Sequence, residues 1–86
     1  KNLDNVKKDI QPESILNFEK GDLVQVSSIK GSVAIRKYLN EKGVMIKSLI
    51  KILNIDKYLI TLLVDGDEKV LNTEDAGNIM VRKNAL

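Results

Sequence analysis

The chain has 86 residues, with 14 Lys and Arg against 12 Asp and Glu, no His, no Cys and only three aromatic side chains. Without thiols or imidazoles there is no disulfide, no thiolate or histidine base and no structural zinc site, and a chain this short buries only about 60% of its unfolded surface, enough for one core but not two. A hydrophobic content of 43%, a charged content of 30% and a net charge of +2 fit a folded globular domain rather than a protein that coats nucleic acid.

Residues 1–11 carry isolated Leu3, Val6 and Ile10 among Lys, Asp and Asn, and are expected to form an amino-terminal extension, frayed or marginally helical, ahead of a domain over 12–86. Lys1–Lys20 holds four bases and four acids with no continuous apolar stretch, so no signal peptide fits and a cytoplasmic location is expected. Pro12 presets the first turn of a helix, Glu13 suits its positive end, and Ile15, Leu16 and Phe18 give it an apolar side, which predicts a short helix over 12–18. Gly21-Asp22 breaks it. Leu23 to Ile29 then sets Val24 and Val26 against Gln25 and Ser27, the period of a half-buried strand.

Ser32 is a good helix cap, Ile35 and Leu39 stack four apart, and Arg36, Lys37 and Glu41 face outward, which predicts a helix over Val33–Lys42 closed by Gly43 in the left-handed conformation. Ser48 to Leu53 reads as a strand with Ile50 and Ile52 on one side of Lys51, Asn54 to Lys57 as a turn, and Tyr58 to Val64 as a strand with Ile60, Leu62 and Val64 on one face. The run Tyr58–Val64 is also, when its single Thr61 is tolerated, the longest apolar stretch, far below the roughly 18 residues that cross hydrocarbon, and no direct membrane insertion is expected. Asp65-Gly66 between apolar runs is the signature of a two-residue hairpin, so Lys69 to Leu71 should fold back on the preceding strand. Thr73 to Ala76 suits one helical turn and Ile79 to Val81 a closing strand. The expected fold class is mostly β: a five-stranded antiparallel, partly open small barrel with one inserted α-helix and a short N-terminal helix.

Charge is uneven, with seven bases against three acids over Gly21–Ile60 and three against five over Thr61–Leu86. Such a layout either steers a partner of complementary sign or simply keeps the domain solvated. Candidates for chemistry are few. Asp65, Asp67 and Glu68 could suggest a calcium turn, but Asn72 stands where a calcium loop needs a bidentate Glu, and a hairpin turn explains the acids. Glu74 and Asp75 suit the first turn of a helix. Ser27, Ser28, Ser32 and Ser48 lack an imidazole, and nothing marks Lys47 as the base of a Ser-Lys dyad. Gly31-Ser32 is too glycine-poor for a phosphate loop. No metal, cofactor or catalytic residue is assigned.

In chain order, Ile15, Phe18, Lys20-Gly21-Asp22, Val24, Val26, Ile29, Gly31, Ile35 to Leu39, Gly43-Val44, Ile50, Ile52, Gly66, Val70-Leu71, Glu74, Ala76, Ile79 and Val81 together resemble the ferrous iron transport protein A (FeoA) family. The helix ending at Gly43 between the first two barrel strands is the distinctive part. The resemblance implies a five-stranded SH3-like barrel in the cytosol, an accessory in ferrous iron uptake and iron homeostasis that acts on the FeoB membrane GTPase and is not itself an enzyme. It departs from the family pattern in three places. Tyr38 replaces an Arg, Ile46-Lys47 replaces Pro-Gly, which predicts a different turn into the next strand, and Asn54 to Lys57 lacks a Pro.

A partner surface would combine Arg36, Lys37 and Lys42 with Tyr38, since Arg and Tyr are enriched at the energetic centres of interfaces. The plainer alternative is that Tyr38 covers the barrel end and the bases are solvated. Two other functions are weighed. Gly21-Asp22-Leu23-Val24-Gln25-Val26 with Lys30-Gly31 resembles the opening of a KOW motif in nucleic-acid-binding barrels, against which stand the inserted helix, the low net charge and the few aromatics. The fold is also similar to the carboxy-terminal domain of iron-dependent repressors. Direct ferrous iron binding would need a carboxylate-only site.

Overall fold

In the computed structural model, which describes residues 11–83, the alternating aliphatics form one antiparallel sheet. Its strands are β1 (Glu13–Ser14), β2 (Leu23–Ile29), β3 (Leu49–Ile55), β4 (Leu59–Val64), β5 (Asp67–Asn72) and β6 (Ile79–Lys83), in the spatial order β1-β6-β2-β3-β4-β5. Helix α1 (Val33–Glu41) lies between β2 and β3, and the single turn α2 (Thr73–Ala76) between β5 and β6. The extension expected over 1–11 falls, apart from Gln11, outside the described residues. Val24, Val26, Ile50, Ile52, Ile60, Leu62, Leu71, Ile79 and Val81 point to one side and are buried, joined by Leu39 and Val44 from the α1 region and Ile15 from the amino-terminal segment.

The strand count and the amino-terminal helix need correction. Among the described residues there are six strands, not five, and β1 and β5 stand at opposite ends of the order. Residues expected to begin a helix at Pro12 are strand at Glu13 and Ser14, paired with Val81 and Met80, followed only by a 3-10 turn over Ile15–Asn17. The neighbouring β6 supplies main-chain partners that a first helical turn lacks. Ser14 then anchors the turn, its hydroxyl accepting from the Leu16 amide at 3.2 Å and donating to the Gly77 carbonyl at 3.0 Å.

Two bulges interrupt the alternation, and the second explains where the sequence periodicity misplaced a boundary. The β2–β6 register shifts between Val26 and Ser28, which brings Ile29 opposite the buried Ile79. The β3–β4 register shifts between Ile52 and Asn54, so Asn54 pairs with Thr61 and Ile55 with Ile60, and the strand continues past the expected end at Leu53. An extra unpaired residue flips the alternation, which a period-two pattern registers as the strand's end. The turn contracts to Asp56–Tyr58, where the Asp56 carboxylate accepts from the amides of Tyr58 and Leu59, both at 2.8 Å. At the other hairpin Asp65 and Gly66 take φ of 49° and 95°, the two positive values of a type I′ turn, and Asp67 sits directly opposite Val64. Pairing therefore starts at Asp67, before the expected Lys69.

Candidate functional site

Helix α1 begins as its sequence predicts, with the Ser32 hydroxyl accepting from the Ile35 amide at 3.2 Å. It ends in a Schellman arrangement: the Gly43 amide donates to the Asn40 carbonyl and the Val44 amide to the Leu39 carbonyl, each at 2.9 Å, while Gly43 takes φ of 91°. Leu39 and Val44 are both fully buried, so the cap also pins the helix to the core. Ile35 and Tyr38 pack partly against that core, leaving Val33, Arg36, Lys37 and Asn40, spaced by three and four, as the exposed row.

The four predicted surface residues therefore divide. Tyr38 is half-buried, and the Lys42 ammonium lies 5.6 Å from its ring centroid, a cation–π pair one helical turn apart. Arg36 and Lys37 are exposed. Of the four, only Arg36 lines the depression of about 400 Å³ that lies between α1 and the following loop, together with Ile29, Asn40, Met45 and Ile46. Arg36 is fixed there: one guanidinium N–H donates to the Gly31 carbonyl at 3.0 Å, and the Asn40 side-chain amide donates to the Arg36 carbonyl at 2.7 Å.

The loop half of the depression is built by a turn. The Ser48 amide donates to the Met45 carbonyl at 2.9 Å, and Lys47, its third residue, has φ of 77° while Ile46 has no positive φ. That is the type II pattern, whose third position normally requires Gly. The turn that leads into β3 at Ile46-Lys47 is thus of type II, with Lys in the position that favours glycine. It is held from outside, by the Lys47 amide donating to the Val26 carbonyl at 2.9 Å and the Gln25 side chain donating to the Lys47 carbonyl at 3.3 Å. Buried Ser48 closes it from within, its hydroxyl accepting from the Met45 amide and donating to the Gly43 carbonyl. The result projects Met45 and Ile46, 51% and 63% exposed, toward the row that starts with Val33, 70% exposed.

Met45, Ile46, Asn40 and Ile29 were not singled out from the sequence as surface residues. The available signal was that Met45-Ile46 follow a helix cap yet fit no strand alternation. The other exposed aliphatics, Leu23, Leu49, Leu59 and Val70, alternate with polar residues on the outer faces of strands, a distribution that needs no special explanation. Carboxyls shifted from their ordinary value lie elsewhere. Asp56 is lowered by the amides of Leu59 and Tyr58, and Asp22 chiefly by the Glu19 amide, with help from the Lys83 ammonium 3.5 Å away. Among the described residues no three Asp, Glu, His or Cys side chains converge as a metal would require, and no helix is long and apolar enough to cross a membrane.

Comparison with known families matches the FeoA domain over residues 14–83. The chain belongs to the FeoA family. A crystal structure of an iron uptake regulatory protein (FeoA) superposes with a TM-score of 0.79 at 26% identity, covering 85% of this chain and 99% of that one. The solution structure of a FeoA-like protein from Clostridium acetobutylicum gives 0.79 at 19% identity, covering 88% and 91%. A manganese-dependent transcriptional repressor gives 0.80 at 18% identity, with 85% of this chain matching 41% of the repressor. At these last two identities the likeness is one of fold. No curated protein sequence matches. The FeoA domain thus has the SH3-like small-barrel fold expected of its family, with a sixth, two-residue strand at one end.

Proposed function

We propose that this FeoA domain is a cytoplasmic accessory module for ferrous iron uptake that docks on an FeoB-type membrane GTPase and modulates it, without catalysis of its own. The observation that carries the docking face is the pairing of an anchored, outward Arg36 with the exposed aliphatics Met45 and Ile46 around one open depression. Buried apolar contact beside an arginine is the composition of an interface centre. Lys37 extends the cationic row, and the Tyr38–Lys42 pair flanks it on the side of the helix nearer the core.

The test is binding of the domain to the cytosolic region of the GTPase by calorimetry. Arg36→Glu combined with Lys37→Glu is expected to weaken association at least tenfold while the far-ultraviolet circular dichroism spectrum stays unchanged, because both side chains are exposed. Equal affinity of the charge-reversed protein would remove this face. The repressor-domain reading has only likeness of fold behind it, and steep loss of retention on a nucleic-acid column with rising salt would be needed to revive the KOW reading.

A further inference from the structure

We infer that the depression between α1 and the Met45–Ser48 turn receives a short linear peptide segment in which a carboxylate stands beside a large aliphatic side chain. The inference rests on the reading that this face docks a partner, and names the chemistry the partner must present there.

Charge decides the first half. From Lys30 to Lys47 there are five bases, Lys30, Arg36, Lys37, Lys42 and Lys47, and one acid, Glu41. A guanidinium presents five N–H donors in a planar fork that matches a carboxylate in two parallel bonds. In Arg36 one nitrogen is engaged by the Gly31 carbonyl, which holds the group at the wall of the depression, and the described ion pair lies elsewhere, between Lys83 and Asp22. Among the described residues the remaining fork has no acidic partner, which leaves it for a partner from outside the chain.

The walls decide the second half. Ile29, Met45 and Ile46 supply an apolar lining, and a volume of about 400 Å³ lies at the small end of ligand pockets, roughly 300–1,000 Å³, too little for a folded element and enough for a few side chains. Asn40 has committed an amide N–H to the Arg36 carbonyl, which leaves its side-chain oxygen as an acceptor on the wall. A peptide main chain offers the N–H that oxygen takes; a phosphate or an acyl chain does not. An anionic lipid surface would meet Ile46 and Val33 but would leave the half-buried Ile29 floor unfilled. The positive φ at Lys47 adds weight, since backbone strain held by surrounding bonds concentrates where a chain presents particular side chains.

The experiment is selection from a phage-displayed library of random octapeptides on the immobilised full chain, followed by fluorescence anisotropy with the winning peptide. Enriched sequences are expected to carry Asp or Glu within two positions of Ile, Leu, Val or Met. Exchanging the acid for its amide should weaken binding at least tenfold to the native protein but less than twofold to Arg36→Gln, and Ile46→Ser should weaken the acidic peptide at least fivefold, each with an unchanged circular dichroism spectrum. Recovery of no peptide, enrichment without acids, equal affinity for acid and amide forms, or sedimentation with phosphatidylglycerol vesicles that Ile46→Ser abolishes would overturn the inference. Its failure is separable from that of the docking reading. A domain that binds the GTPase yet selects no acidic peptide loses this inference alone; acidic peptides that bind without competing with the GTPase remove the reading and leave the inference.

Discussion

Replacing Lys47 by glycine should make the domain more stable, although it removes a side chain and loosens the unfolded chain. At φ of 77° an L-residue brings its Cβ against the following carbonyl, at a cost of roughly 1–2 kcal/mol that glycine escapes. Against this stands the larger conformational freedom of glycine in the unfolded state, about 0.4–1 kcal/mol. The exposed Lys47 side chain makes no ion pair among the described residues, and the backbone bonds to Val26 and across the turn survive the change. The net expectation is a gain of about 0.5–1 kcal/mol, which in a domain of this size raises the melting temperature by roughly 2–8 °C. Thermal unfolding followed by circular dichroism reads it, with Lys47→Ala as the control: alanine keeps the Cβ, so its melting temperature should stay near that of the native protein. A Lys47→Gly protein that melts at or below the native temperature, or an alanine variant that gains as much as glycine, would refute the claim that this turn holds strained backbone.

Three further outcomes follow from local geometry. Ser32→Ala deletes the acceptor for the Ile35 amide at the start of α1 and should cost about 1 kcal/mol in urea unfolding, the usual worth of such a cap. Leu39→Ala empties a fully buried position shared by the helix, its Schellman cap and the core, and should cost about 2–5 kcal/mol, enough to unfold a marginal domain at ambient temperature. The third is a pH dependence at the β3–β4 hairpin. The Leu59 and Tyr58 amides hold the Asp56 carboxyl below its ordinary value of 3.8, so its contribution is fully present above that value and is lost as pH falls through the depressed folded-state value. Asp56→Asn keeps an acceptor but does not titrate. The variant should therefore have a lower urea midpoint than the native protein at about pH 7, and the difference should close in strong acid. A constant gap across that range would show that the turn gains nothing from the ionised form.

Much of the fold is legible locally. The span of β2, the α1 cap at Ser32 and its close at Gly43, the Asp65-Gly66 hairpin and the α2 turn each follow from side chains within a few residues of where they act. The errors share one cause, main-chain pairing with another strand that the side-chain pattern does not record. Glu13 and Ser14 became strand because β6, more than 60 residues later, offered free main-chain groups. Leu53 ended the expected strand because a bulge opposite β4 reset the alternation and returned Ile55 to the inner side.

The site divides in the same way. Sequence alone put Arg36 and Lys37 on the outward face of a helix, since a period of 3.6 with Ile35 and Leu39 inward leaves them nowhere else to point. That Arg36 would share a depression with Ile29, Met45 and Ile46 was decided by the type II turn, which hydrogen bonds to Val26 and from Gln25 on β2 hold in place, whereas the Tyr38–Lys42 pair, one helical turn apart, is local. Local propensity would have assigned glycine to Lys47; long-range bonds to β2 overrode it. Those bonds exist only once the sheet has formed, so no pattern in the residues around the turn could have announced them.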